Sequence, residues 1–585
     1  MLQRTRRDVV TLRQQAGWLV TNAARLRWLP KVGPLLGEGP ALLELGDALT
    51  ELGAMLWADA RPSIERYQRG EPWQGLLPEL LPAVGRDLQR KQALAARAQS
   101  AYADLDLAAL PSSVEGYADL LGQALPYLAD GLEIAGVAPT LLGFDAPRTY
   151  LVLALNEDEL RPGGGFITGV GEVQVAEGDI VSMVFRDSYA VDDLSLPYPD
   201  PPEPLRFFMG LDLWGFRDSN WSPDFPTAAR QAIALYRPGT RANLSGVVAV
   251  DQRGVQLLLD GLGTLTVAGV DGPVTSQTVI DYMRSAWAPE EGALDRAWWL
   301  QRKDFMGDLA TAARAALFSG QADLVALGRG ARAALEERHI QVFLADPVVS
   351  AVLARRGWDG SMSIPDGDVI ALVEANVGYN KASASISRDL AYTIDLRSGN
   401  PRGEVELTYV NTARREQPCT PEIRYDADYA LATQRCYWAY LRLLVPLGSG
   451  LVEVTPNPIP SRDILTGHAW AGDGQVSREL GLTAFSQALL LPTQSERQLR
   501  FTYSLPQWIV SRDEEGVYTY RLTIRKQAGL AELAGRVRLL LPENAVVLTN
   551  PAGCEFSGEG ALTCTVQSST DISVVVRYTI LEAGK

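Results

Sequence analysis

Residues 150–173 read YLVLALNEDELRPGGGFITGVGEV. Tyr150–Leu155 form an unbroken apolar run, short enough and aliphatic enough for a buried strand. That run leads through a polar segment to Arg161, Pro162 and three consecutive glycines, Gly163, Gly164 and Gly165. Glycines in a row cost backbone entropy on folding, so a chain keeps them where positive φ or a close approach is needed. What approaches is either a ligand or a neighbouring strand.

Outward from this stretch, strands and helices alternate. GFITGVGEVQVAEGDIVSMVF reads as a hairpin and SGVVAV as a strand, and HIQVFLA, ending at Ala345, closes the sheet. PTAARQAIALY, QRGVQLLLDGL and WWLQRKDFMGDLATAARAAL read as helices. This alternation predicts a central α/β domain over residues 147–365, a sheet flanked by helices. Upstream, over 1–146, ALLELGDALTELGAMLW and LPELLPAVGRDLQRKQALAARAQSAYADL carry apolar residues at three- and four-residue spacing. They predict an α-helical bundle or stalk with no fixed repeat. Over 366–585 the signals are β: GEVELTYV, YWAYLRLLV, VYTYRLTI and ISVVVRYTI are separated by turn residues and predict one or two β-sandwiches.

With 585 residues, 46% hydrophobic and 21% charged, the chain is globular and too long for one core. Its net charge of -16 repels a polyanion, and the sequence has no basic run, which argues against nucleic acid as a partner. No apolar stretch approaches the ~18 residues of a bilayer span, and MLQRTRRDVVTLRQQ lacks the apolar core of a signal peptide. The chain is thus either cytosolic or separated from a leader. All four cysteines, Cys419, Cys436, Cys554 and Cys564, lie in the last third. In CEFSGEGALTC, Gly558 and Gly560 suit a hairpin that would face two sulfurs. Four cysteines allow three pairings; disulfides would place the chain in an oxidising compartment, and four buried thiols is the other reading.

Several chemistries are excluded by motif. GGGFITGVG lacks the Lys-Ser/Thr of a P-loop, no G-x-S-x-G or H-E-x-x-H occurs, and His339 and His468 are the only histidines. Arginine and carboxylate chemistry remains. Arg161 stands at the carboxyl end of the first strand, where open α/β sheets bind ligands. FRDSYAVDD places Arg186 and Asp187 after another strand, and FRDSNWSPDFPTAARQA places Arg217, Asp218, Asn220 and Asp224 before a helix N-terminus suited to an anion. On LDRAWWLQRKDF, Arg296 and Lys303 share a helical face with Trp299. Guanidinium groups bind phosphate oxygens two at a time, and nearby carboxylates can hold magnesium. Each feature has a plainer counterpart: a surface ion pair for Arg186–Asp187, a helix cap for Asp224, a tight strand connection for the glycines.

RTYLVLALNEDELRPGGGFITGVGEV, RDSNWSPDFPTAARQA, GVVAVDQRGVQLLLDGLGTLTV, RKDFMGDLA and ALVEANVGYNKA, in that order between Arg148 and Ala382, resemble a bacterial domain family of unknown function. Its members follow an N-terminal membrane anchor and end in a β-rich region. More remotely, VFRDSYAV, VVAVDQRGVQLLLDGLGTLTV and LDRAWWLQRKDF resemble segments of the LytR-CpsA-Psr phosphotransferases. Those enzymes move glycopolymers from polyprenyl-pyrophosphate carriers with magnesium. The aspartate that follows their first strand is replaced here by GGFITG, with Glu157 or Asp158 as substitute carboxylates.

The resemblance implies an extracytoplasmic envelope protein, tethered to the outer face of the cytoplasmic membrane, whose α/β domain binds a polyprenyl-(pyro)phosphate-linked glycopolymer. Transfer of that polymer is the stronger form of this reading. Arg186, Asp187, Arg217 and Asp218 would act in catalysis. Arg161, Gly164, Gly165, Asn220, Arg296, Arg302 and Lys303 would bind substrate, and Asp158 and Asp224 would hold a magnesium ion. The alternative is a non-catalytic envelope scaffold on the same fold.

Overall fold

The quoted stretch becomes the middle of a five-stranded mixed sheet. In the computed structural model, which describes residues 2–23, 28, 33–71, 73–236, 243–286, 304–320, 322–422, 428–549, 551–557 and 560–581, β1 (Arg148–Arg161) runs well past the apolar YLVLAL. Pro162 and Gly163 turn it into β2 (Gly164–Ala176), and β3 (Asp179–Asp187) follows. β4 (Leu244–Val250) lies parallel to β1, with Leu151 opposite Val247, and β5 (Ile340–Leu344) pairs antiparallel with β4. The order is β3-β2-β1-β4-β5.

Two compact units account for the chain: Met1–Arg148 with Gln174–Ser182, and Thr149–Val173 with Met183–Lys585. Among the described residues, the first holds five α-helices: α1 (Leu2–Ala23), α2 (Gly33–Gln68), α3 (Leu77–Gly85), α4 (Leu88–Ala103) and α5 (Ser112–Leu141). Their buried seam follows the three- and four-residue spacing: Leu45, Ala48 and Leu52 of α2 meet Leu94, Ala98 and Ala101 of α4 and Leu125 and Leu132 of α5. Lys91 is buried in this bundle, tied to Asp59 at 2.5 Å and to the carbonyls of Val84 and Arg86. Among the described residues, no helix is long and apolar enough to cross a membrane.

In the second unit, side chains alternate across β1. Leu151, Leu153 and Leu155 point to one face and pack against Ala228, Ala229, Ala232 and Leu235 of α7 (Phe225–Leu235), which follows α6 (Glu203–Met209). Val152 and Ala154 point to the other face, toward α8 (Gln252–Leu262), α9 (Val279–Ala286) and α10 (Asp304–Phe318). Asp224 and Asp251 cap α7 and α8 by accepting from Thr227 and Gly254 N–H. The rest is strand-rich, a seven-stranded and an eight-stranded sheet. One apolar cluster draws on both, joining Tyr392, Val405 and Phe501 of the first to Tyr437, Leu441 and Tyr520 of the second. Strand Arg402–Asn411 buries alternate residues, whereas Tyr437–Val445 is buried throughout. Disulfides link Cys419 to Cys436 and Cys554 to Cys564, the second pair directly opposed in register.

Candidate functional site

The arginine chosen from the sequence ends β1 in a buried polar network. Arg161 is 1% exposed. It donates from Nη1 to the Asn376 carbonyl at 2.7 Å, from Nη2 to Glu159 at 3.1 Å and from Nε to Asp218 at 3.4 Å. Burial works against its charge, but Glu159 and Asp218 outweigh burial and hold its pKa above the ordinary value. Lys381 approaches the second oxygen of Glu159 at 3.7 Å. Gln527 donates to the carbonyls of Arg161 and Glu374. Asn376, Lys381 and Gln527 come from the strand-rich region, so this network joins it to the β1–β2 turn.

The glycines answer to backbone. A Cβ on Gly165 would stand 2.2 Å from the Asn156 carbonyl carbon, and one on Gly163 would stand 3.0 Å from the Asn220 oxygen; Gly164 has φ of 123°. Asn220 donates to the Gly165 carbonyl at 2.8 Å. The neighbouring protein chain therefore fills the space beside Gly164 and Gly165.

The other sequence-chosen residues lie at several places. Arg217 stacks on Tyr189 at 4.4 Å and stands 3.7 Å from Asp218, which brings it to the Arg161 network. Arg186 donates instead to the Tyr236 hydroxyl, which in turn donates to Glu172. Asp187 caps the turn Ser188–Ala190. Asp224 accepts from Thr227 with one oxygen and from Met362 N–H with the other. Asp158 is gripped through both oxygens by Arg284, at 2.9 and 3.0 Å, and receives the Tyr429 hydroxyl at 2.6 Å. With their oxygens so engaged, on different elements, Asp158 and Asp224 do not fit the octahedral oxygen set of magnesium. Among the described residues no cluster of three or more His, Cys, Asp or Glu gathers to hold a metal. Arg296, Arg302 and Lys303 lie outside the described residues.

What the structure opens is a cavity of about 240 Å3 on the other face of the sheet. Val152 and Ala154 form its floor. Leu258, Leu259 and Leu262 of α8, Met283 of α9, and Phe305, Met306 and Ala313 of α10 form its walls. Asn156, Asp251, Gln252 and Tyr429 line one end, where β4 finishes and the apolar run of β1 gives way to its polar part. Asp251 Oδ2 meets His339 Nδ1 at 2.7 Å and its Oδ1 caps α8. Next to this end Glu157 accepts from Gln252 N–H. Desolvation, reinforced by Asp251 and Asp158, pushes the Glu157 pKa well above the carboxylate range.

Of these residues the sequence had suggested only Glu157 and Asp158. The apolar stripe of QRGVQLLLDGL signals a helix with one buried face, but the same stripe would serve a solid core equally well. Tyr429 reaches Asn156 and Asp158 from more than 270 positions away, which no local pattern reports.

Residues 145–287 match a family described as "Protein of unknown function (DUF4012)". The match covers the β1–β4 strands and the helices α6 to α9. No curated protein matches. Among solved structures, a putative nutrient binding protein from Legionella pneumophila is 10% identical over 36% of this chain and 71% of its own, with a TM-score of 0.23. A Listeria innocua protein is 12% identical over 37% and 78%, with a TM-score of 0.22. An M1 zinc metallopeptidase from Deinococcus radiodurans is 14% identical over 33% and 42%, with a TM-score of 0.17. Scores this low assign neither fold nor function.

Proposed function

We propose that this is an extracytoplasmic envelope protein whose α/β region binds the apolar chain of a polyprenyl carrier, the lipid part of a lipid-linked glycan, and does not transfer its phosphate. The cavity carries this reading. An apolar cavity of about 150 Å3 stays dry and takes benzene; one of about 240 Å3 walled by Leu, Met and Phe has room for an isoprenoid segment. The two disulfides support an oxidising compartment. The likeness to LytR-CpsA-Psr phosphotransferases supplies the substrate class, and the strand-rich region is read as a β-sandwich that presents the α/β region. Phosphoryl transfer is set aside because Arg161 and Arg217 are matched by Glu159 and Asp218, and Asp158 by Arg284.

Filling the cavity tests the reading. Ala313→Phe and Ala310→Phe put a ring where the chain would lie. Each should lower the affinity for a fluorescent isoprenoid probe by about tenfold or more, as expected for loss of a buried apolar site, with the melting temperature little changed. Unaltered affinity in both variants would overturn it. The neutralised arginines favour a second reading, a rigid scaffold with no lipid ligand; native mass spectrometry of protein from its own membranes separates the two, since a scaffold carries no added lipid mass.

A further inference from the structure

One helix of the first compact unit carries two apolar faces. The inward face of α5 buries Leu125 and Leu132, with Leu121 and Leu128 partly buried beside them. The second face lies in solvent. Tyr117, Leu120, Ala124, Tyr127, Gly131 and Ile134 are all exposed, the four large side chains by 42% at Ile134 up to 71% at Tyr117. Their spacing alternates three and four residues from end to end, the a/d repeat of a helix–helix seam. The helix runs unbroken from Ser112 to Leu141 with Pro126 inside it, so the stripe is continuous. Apolar residues exposed singly are ordinary, whereas a continuous stripe marks an interaction surface.

The sizes along the stripe select the partner. In an antiparallel pair of identical helices related by a two-fold axis, residue i meets residue j and j meets i. An axis between Leu125 and Pro126 sets Leu120 against Gly131, Ala124 against Tyr127, and Tyr117 against Ile134. Both inner layers then join one large side chain to one small one, and the outer layer closes on an apolar pair, which suits close packing. A parallel pair would stack Gly131 on Gly131 and Tyr127 on Tyr127, a void in one layer and crowding in the next. Charge agrees with this choice. No charged residue falls on the stripe, and α5 has no Lys, Arg or His, the residues that rim a face built for a lipid surface.

We propose that the α5 stripe is a dimer interface, covered by α5 of a second copy of this chain in antiparallel orientation. One helix pair buries roughly 1,000 Å2, the small end of specific interfaces, so the dimer should be weak, with a dissociation constant of about 1–100 μM. The inference is independent of the lipid-binding reading.

Sedimentation velocity of the full chain from about 1 to 200 μM tests it, spanning that range of affinity. The unsubstituted protein should pass from monomer to dimer. Leu120→Glu should raise the dissociation constant about tenfold or more without lowering the melting temperature, because the side chain stands in solvent. Gly131→Leu should also weaken the dimer, by setting Leu against Leu120, and Leu120→Ala added to it should restore association. Nothing stands within 4 Å of a Cβ at Gly131, so the monomer accepts that change. A monomer at every concentration, or a dimer indifferent to Leu120→Glu, would overturn the proposal. A dimer strengthened by Gly131→Leu alone would overturn the antiparallel arrangement in favour of a parallel one. Monomer that floats with phosphatidylglycerol vesicles, and ceases to as Leu120→Glu, would overturn it in favour of a lipid surface.

Discussion

Asp368 shows what one buried group can do to the whole chain. It is 0% exposed, accepts from the Tyr392 and Tyr520 hydroxyls at 2.6 and 2.7 Å, and leaves Oδ1 without a partner. Burial raises its pKa to about 6, the two tyrosine hydrogen bonds pulling the other way. The folded value thus exceeds the unfolded one, so the fold favours the protonated carboxyl. That contribution is complete below about pH 4 and is lost as pH rises through about 6, amounting to roughly 3 kcal/mol. Asp368→Asn should flatten this part of the pH profile; unfolding free energies measured at acidic and neutral pH give the comparison. Arg161 is a second case. Arg161→Met leaves Glu159 and Asp218 only their more distant cations, Lys381 and Arg217, each at 3.7 Å, which should cost about 3 kcal/mol of stability. Isoprenoid binding in folded protein should persist, a pattern that calorimetry and the probe titration together would reveal.

At the scale of elements, the cavity exists because α8 is held from outside. Helix Leu324–Glu336 crosses it at two glycines: a Cβ on Gly261 would fall 2.1 Å from Leu327 N, and one on Gly330 would fall 2.1 Å from the Leu257 oxygen. Since the obstacle is backbone, neither contact can relax by a rotamer change. Gly261→Ala or Gly330→Ala should push α8 away, destabilise by about 1–3 kcal/mol and weaken probe binding together with melting temperature. Weakened binding at unchanged stability would show that α8 is not braced in this way. The Cys554–Cys564 bond acts on strand Cys554–Ser557 at the end of the seven-stranded sheet. The double Cys→Ser variant should raise amide exchange in that strand first, while Tyr437–Val445, buried along its length, keeps its protection.

Over the whole molecule, polar ties bind the α/β region to the strand-rich region within one compact unit. Arg161 reaches the Asn376 carbonyl, Asn156 and Asp158 reach Tyr429, and Arg338 and Arg525 converge on Asp571 at 2.7 and 3.0 Å. A chain ending at residue 365 would leave Arg161, Glu159 and Asp158 short of partners in a partly buried setting. It should fail to give a dispersed, native-like amide spectrum, whereas a stable folded fragment would show that these ties are dispensable.

Local pattern was enough for the helical start, the strand–helix alternation, the cap at Asp224 and the strand-rich end, because each follows from periodicity or from chemistry within a few residues. It also identified Arg161 as a charged group in an unusual place and the glycines as a close approach. It did not report what approached them. Asn376 lies 215 positions from Arg161 and Tyr429 lies 273 from Asn156, and only the folded chain decides whether a guanidinium meets a carboxylate or empty space. The cavity follows the same rule: leucines on α8 look alike whether their neighbours close over them or stand back, since apolar burial is non-directional and volume is settled by packing.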